Sequence, residues 1–254
     1  MEDKEEIISA SATVNYNLFF ANGYINYESP VSLFISFLFW RFLYLIFRYF
    51  FQNQSMEFSS RIVSFIHGFM SGFMGINQCF LLDSPFDHPE WKTNYVQSFI
   101  LTMSIGYFLH DTWWTWMYDR KDKIMLCHHI LCVFSLSRII FKGYSGAQAT
   151  CSLGCMELTN PFLQIRWFLT TAGRRSTAVF VSTEITFFVI FFLVRIVLGS
   201  YFLNVILRQP KNDWDFIFIS LGIYIISWVF LLDMLKYVLR KYVRTGTPAG
   251  QKSE

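Results

Sequence analysis

Apolar residues fall into seven long blocks along this chain, at about 31–51, 62–82, 95–118, 124–141, 147–169, 178–207 and 214–238. Each block is close to the roughly 20 residues a helix needs to cross a hydrocarbon layer. None alternates apolar and polar positions as the strands of a membrane barrel would. Lipid offers backbone amides no hydrogen-bond partner, so the blocks predict α-helices. The block at 147–169 is the least apolar, and the one at 178–207 is long enough to tilt or kink. The predicted fold class is all-α: a polytopic membrane protein with about seven transmembrane helices.

Composition agrees with that pattern. The 254 residues are 54% hydrophobic and 20% aromatic, and only 15% are charged. A soluble domain carries about 25% charged residues, so a water-soluble fold could not cover its surface here. The net charge of +3 is small and its basic residues are not clustered, which argues against a nucleic-acid partner. The first residues are acidic (Glu2, Asp3, Glu5, Glu6) and lack the basic head and apolar core of a cleavable signal.

Lysine and arginine in the short loops set an expected orientation. Arg120, Lys121 and Lys123 lie between the third and fourth blocks, and Arg174 and Arg175 between the fifth and sixth. Lys236, Arg240, Lys241 and Arg244 close the seventh, and Arg48 and Arg61 fall on the same side. The opposite side holds Lys4, Lys92, Lys142, Arg208 and Lys211, with an acidic second loop at Asp83, Asp87 and Glu90. Residues 1–30 are therefore expected in the lumen and the carboxyl terminus in the cytosol, with 246–254 a disordered tail. The sequon Asn53-Gln54-Ser55 then falls in a cytosolic loop and should carry no sugar.

All five cysteines (Cys79, Cys127, Cys132, Cys151, Cys155) lie inside the blocks, so no disulfide framework is expected. Cys151 and Cys155 share a helix face but have no histidine beside them. They read as small buried hydrophobes rather than metal ligands.

Ionisable side chains inside a span cost at least ~2.5 kcal/mol each at the bilayer centre, so they tend to face a cavity or a partner. Here His67, Asp111, His128, His129, Glu184 and Asp233 all fall in the cytosolic halves of their blocks. Glu157 sits near the middle of the fifth block, with Asn160-Pro161 and then Arg166 nearer the cytosol. Six helices thus place polar groups in one layer. Simpler roles are expected elsewhere. Arg48, Arg61 and Lys236 reach headgroups from span ends. Arg41 and Arg195 pair with Glu157 or another carboxylate. His67 and His110 read as hydrogen-bonded core histidines, and Trp113, Trp114 and Trp116 as an interfacial belt.

His128-His129 with Asp111 has little packing value and points to chemistry. Adjacent helical residues project about 100° apart, so the two rings do not easily share a metal, and none is expected. An imidazole oriented by a carboxylate can act as general base or nucleophile toward a lipid hydroxyl or amine.

These residues also resemble a family. Tyr107-Phe108-Leu109-His110-Asp111, the turn Arg120-Lys121-Asp122, Met125-Leu126-Cys127-His128-His129 and Glu157-Leu158-Thr159-Asn160-Pro161-Phe162 with Arg166-Trp167 look like the core of the TLC domain. The resemblance covers roughly 55–245 and leaves 31–51 as an extra transmembrane helix. It implies six helices in a barrel-like bundle around a cytosol-open cavity, in the endoplasmic reticulum or a related membrane. The family includes the ceramide synthases, whose paired histidines transfer a fatty acyl group from coenzyme A to a sphingoid amine. Carried over, His128 and His129 form the catalytic pair, with Asp111 matching a family aspartate. Ceramide synthases continue with a His-Asp step and a further aspartate where this chain has Cys155-Met156-Glu157. In that respect it is similar to the small TLC-domain-containing proteins, which are linked to phospholipid composition.

The expected role is membrane-lipid metabolism or homeostasis, with acyl transfer from acyl-CoA to a lipid acceptor as the candidate reaction. Its catalytic residues would be His128, His129 and Asp111. Tyr107, Glu157, Asn160, Arg166, His67 and Glu184 would bind substrate. Acyl-CoA would be a co-substrate, with no bound cofactor, and membrane lipids would be the partners. The alternative is a non-catalytic lipid-binding or sorting protein using the same cavity. A seven-span receptor fits poorly, because Asn160-Pro161 falls in the fifth block and the histidine pair has no receptor role.

Overall fold

A computed structural model describes residues 29–80, 86, 88, 90–119, 123–209 and 214–243. The expectations for 1–28, for Asp83 and Asp87, for the turn Arg120-Lys121-Asp122, for Lys211 and for the tail from Arg244 lie outside these residues. Every regular element among the described residues is helical.

The helix α1 (Pro30–Phe50) starts at Ser29, whose side chain accepts from the Ser32 amide, with Pro30 in the first turn, where its missing amide costs nothing. α2 is Met56–Phe80 and α3 is Tyr95–Tyr118, opened by a capping box between Asn94 and Gln97. α4 is Lys123–Lys142. The fifth block divides into α5 (Gly146–Glu157) and α6 (Asn160–Thr171), because Pro161 cannot donate into a continuous ladder and so begins a new helix. The sixth runs as α7 (Ala178–Phe191), a π-helical stretch (Phe192–Leu198) and α8 (Gly199–Arg208). α9 (Trp214–Val238) ends in a second π-helical turn (Leu239–Val243).

Among the described residues, four stretches are both long and apolar enough to cross a membrane: Pro30–Phe50, Lys123–Lys142, Ala178–Arg208 and Trp214–Lys241. The chain is a multi-pass membrane protein. α2 and α3, of 25 and 24 residues, have comparable length but do not reach the mean hydropathy of those spans. The reason lies in what they bury. α2 turns Ser60, Ser64, His67, Gly68, Ser71 and Gly75 inward, a small and polar stripe that permits close helix packing.

That packing is tightest between α2 and α5. A Cβ added to Gly75 would lie 2.7 Å from the Gly154 Cα, so only glycine fits. The same approach brings the Cys79 and Cys151 Cα atoms to 4.9 Å, and the two cysteines form a disulfide. This corrects the expectation of none. Both residues lie inside their helices, Cys79 next to the end of α2 and Cys151 midway along α5, and glycine contact puts them within bonding reach. Cys127, Cys132 and Cys155 remain thiols. On the other flank, α1 docks on α3 through Trp40, whose Nε1 donates to the Met103 carbonyl at 2.8 Å, and through Ser36 against Gly106.

Three further expectations change. Among the described residues Arg41 pairs with no carboxylate; its guanidinium lies 4.1 Å over the Trp113 ring and 5.2 Å from that of Tyr44. Trp114 turns inward and is buried, so of the three tryptophans only Trp116 is exposed. His110 is buried as a core histidine, but neither ring nitrogen has a hydrogen-bond partner among the described residues.

Candidate functional site

Helical spacing gathers the polar layer. On α2, Glu57, Arg61 and Ser64 fall three or four residues apart, as do Tyr107, Asp111 and Trp114 on α3 and Phe230, Asp233 and Tyr237 on α9; each set shares one face. With His128 and His129 from α4, Glu157 and Asn160 at the α5–α6 break, and Arg166 from α6, they line a cavity of about 480 Å³. It extends from Asp119 at the end of α3 to Phe108, eleven residues deeper, or roughly 16 Å at helical rise.

Two polar systems form its walls. In the first, His129 Nδ1 lies 3.1 Å from Asp111 Oδ2 across the α3–α4 contact. The contact is within ion-pair distance but is not aligned as a hydrogen bond; a carboxylate beside Nδ1 favours a proton there and leaves Nε2 as the nitrogen able to take one. The His128 ring stands 5.6 Å from that of His129, with its Nε2 3.7 Å from Cys132 Sγ and its Nδ1 without a partner.

The second system is a relay between helices. Asn160 Nδ2 donates to Glu157 Oε2 and to the Ser64 carbonyl, both at 3.2 Å, and Gln164 donates to Asn160 Oδ1 at 2.6 Å. Arg61 donates to Gln164 at 3.3 Å and is paired with Glu57 at 3.0 Å. Tyr107 donates from its hydroxyl to Ser64 at 2.9 Å. Asn160 fits closely because α2 has Gly68 there; a Cβ at that position would lie 2.8 Å from the Asn160 Cβ.

Of the nine residues singled out from sequence, seven line the cavity: Tyr107, Asp111, His128, His129, Glu157, Asn160 and Arg166. His67 and Glu184 stand behind the wall, each 1% exposed. His67 stacks on Tyr107 at 3.8 Å, and its Nδ1 lies 3.6 Å from Glu157 Oε2. Glu184 receives Arg166 at 3.0 Å and Lys241 at 2.5 Å, tying α6 and the last π-helical turn to α7. These two residues position lining groups rather than reach into the space.

A feature missing from the sequence reading is a second chamber of about 160 Å³. It is bounded largely by apolar residues, among them Leu136, Ile139, Phe202, Ile206 and Phe216. The chambers share Phe108, His128, Glu157 and Arg195 as lining. Arg195, expected to pair with a carboxylate, makes no ion pair to any described residue; the nearest aromatic face is Phe191, at 5.9 Å. Its signal in the sequence was a lone arginine inside a long apolar run. The π-helical stretch that sets its direction could not be read from composition.

Apolar spans around a polar cavity, which shares four lining residues with an apolar chamber, define a multi-pass integral membrane protein. The TLC-domain family model matches residues 57–242, nearly three-quarters of the chain, and the chain belongs to that family of generally membrane lipid-related proteins. It is 26% identical to the TLC domain-containing protein 4-B of Danio rerio over 222 residues, 80% of each chain. It is 25% identical to the TLC domain-containing protein 4 of Xenopus tropicalis over 77% of this chain and 81% of that one. With the human TLC domain-containing protein 4 it shares 26% over 148 residues, 57% and 56% of the two chains.

Proposed function

We propose that this protein takes a single membrane lipid into the polar cavity from the cytosolic leaflet and acts on its headgroup with the His128–His129 pair. In this reading the chain spans an endoplasmic-reticulum membrane seven times, with α1 outside a six-helix barrel and the carboxyl terminus in the cytosol. The mouth near Asp119 and Tyr237 then faces the cytosol, beside the basic Arg174 and Arg175. The observation that carries the proposal is the His129–Asp111 contact, 3.1 Å long and set in a cavity that adjoins an apolar chamber. Asp111 holds His129 so that Nε2 takes the proton of a lipid hydroxyl or amine. Acyl transfer from acyl-CoA is the reaction class such a base serves, with the acyl group passing to the lipid oxygen or nitrogen and coenzyme A leaving as the thiol. Tyr107, Asn160, Glu157 and Arg166 line the headgroup space, while His67 and Glu184 hold them in place.

One observation favours the non-catalytic alternative, in which the lipid is bound and sorted but not turned over. Arg61 and Arg166, two cavity arginines suited to coenzyme A phosphates, are already paired with Glu57 and Glu184. The deciding experiment compares lipid profiles of cells lacking the protein and rescued with wild type or with His128→Ala/His129→Ala at equal abundance. Catalysis requires the double variant to behave as the null. A double variant that rescues fully leaves only the binding role. Intact mass after exposure to long-chain acyl-CoA then shows whether an acyl group rests on the pair.

A further inference from the structure

The span from α7 to α8 carries one basic side chain within its apolar length, and it points into the site. Arg195 is 8% exposed, and its Nε is a buried donor without an acceptor. No hydrogen bond or ion pair links it to any described residue. A buried guanidinium without a hydrogen-bonded acceptor is costly; Glu157 lies within electrostatic range but makes no ion pair with it, which leaves the guanidinium open to a ligand. Arg195 also sits where the two chambers meet, with a polar space on one side and an apolar one on the other.

Its neighbours are committed elsewhere. Among the arginines lining the polar cavity, Arg61 is taken by Glu57 and Gln164, and Arg166 by Glu184. Glu157, the carboxylate at the same level, accepts from Asn160 and faces His67 on α2. The π-helical stretch Phe192–Leu198 has the geometry that recurs where a helix must redirect a side chain for function.

We infer that Arg195 is the anion-binding residue of this cavity, holding a negatively charged lipid oxygen, phosphate ester or carboxylate, whose chain occupies the apolar chamber. The inference rests on the reading that the cavity admits a lipid, and it specifies that lipid's class. A guanidinium presents donors in a planar fork that matches both anions. The boundary between the chambers is the level at which an amphiphile passes from head to chain. A ligand seated there satisfies the Arg195 charge and fills the apolar space together.

The test is thermal unfolding of the full-length protein, extensively washed in dodecyl maltoside, with added dodecyl phosphate, dodecanoate, dodecanol or inorganic phosphate. Wild type should show a concentration-dependent rise in Tm with dodecyl phosphate or dodecanoate, and none with dodecanol or inorganic phosphate. Arg195→Gln should lose the response, while Arg208→Gln, an exposed charge loss outside both chambers, should keep it. A full response in Arg195→Gln overturns the inference. An equal response of wild type to dodecanol leaves a lipid cavity but removes the anion site. A response to inorganic phosphate matching that to the alkyl phosphate makes the ligand a free anion and removes the lipid. If no amphiphile shifts wild type, the lipid-cavity reading falls as well. Should Arg195→Gln fail to fold, the wild-type comparisons among the four ligands decide alone.

Discussion

Asp111 and Asn160 are the two residues whose roles can be separated most cleanly by substitution. Asp111→Asn keeps the shape of the side chain but removes the acceptor charge that fixes His129. The fold should survive, and turnover, where it is measured, should fall by about 10²-fold or more, the usual contribution of an oriented general base. Comparing reaction rates at matched protein levels checks this, and an unchanged rate would exclude His129–Asp111 as the working pair. Asn160→Ala should act on stability instead. It removes the group that joins Glu157, the Ser64 carbonyl and Gln164. A buried polar group left unsatisfied costs about 1–3 kcal/mol, so a lowered Tm in detergent is expected, and an unchanged one would show that the relay contributes little. Most of this site was legible because charge inside an apolar block is conspicuous. Side-chain direction was not. His67 and Glu184 carry the same sequence signal as Asp111, yet they face neighbouring helices, and only three-dimensional packing separates a lining residue from the one behind it.

At the scale of elements, hydrophobic blocks located the helices well, because lipid enforces both length and apolarity. What they could not reveal was how the helices are interrupted. The fifth block reads as one span but divides at Pro161, and the sixth absorbs a π-helical stretch whose composition is indistinguishable from ordinary α-helix. Glycines on α2 and α5 carried a packing signal that pairs two helices far apart in sequence, and the disulfide follows from that pairing. Peptide mapping without reductant should recover Cys79 joined to Cys151, leaving Cys155 free to alkylation although its sulfur lies 4.0 Å from that of Cys79. Cys151→Ser should destabilise the protein by about 2–4 kcal/mol, typical of a native cross-link. Recovery of both peptides only in reduced form would remove the cross-link from the account of how α2 and α5 are held.

For the whole molecule, membrane class was plain from composition and family from a handful of motifs, whereas the adjoining chambers depend on the shape left between many helices. The disulfide lies at the end of the bundle away from the cavity mouth, which suits an oxidising lumen on that side. The proposed orientation predicts that Asn53 stays bare, while a glycosylation sequon introduced into the loop at 83–90 gains a glycan removable by endoglycosidase. Sugar on Asn53 would reverse the membrane topology and turn the cavity mouth toward the lumen.

The most direct measurement is native mass spectrometry of wild type purified in mild detergent, beside Leu203→Trp, which narrows the apolar chamber. The account predicts one lipid per wild-type chain and a shift toward shorter acyl chains in the variant. Lipid-free protein, or the same lipids with unchanged chain lengths in both, would contradict a cavity that seats a lipid with its chain in the second chamber.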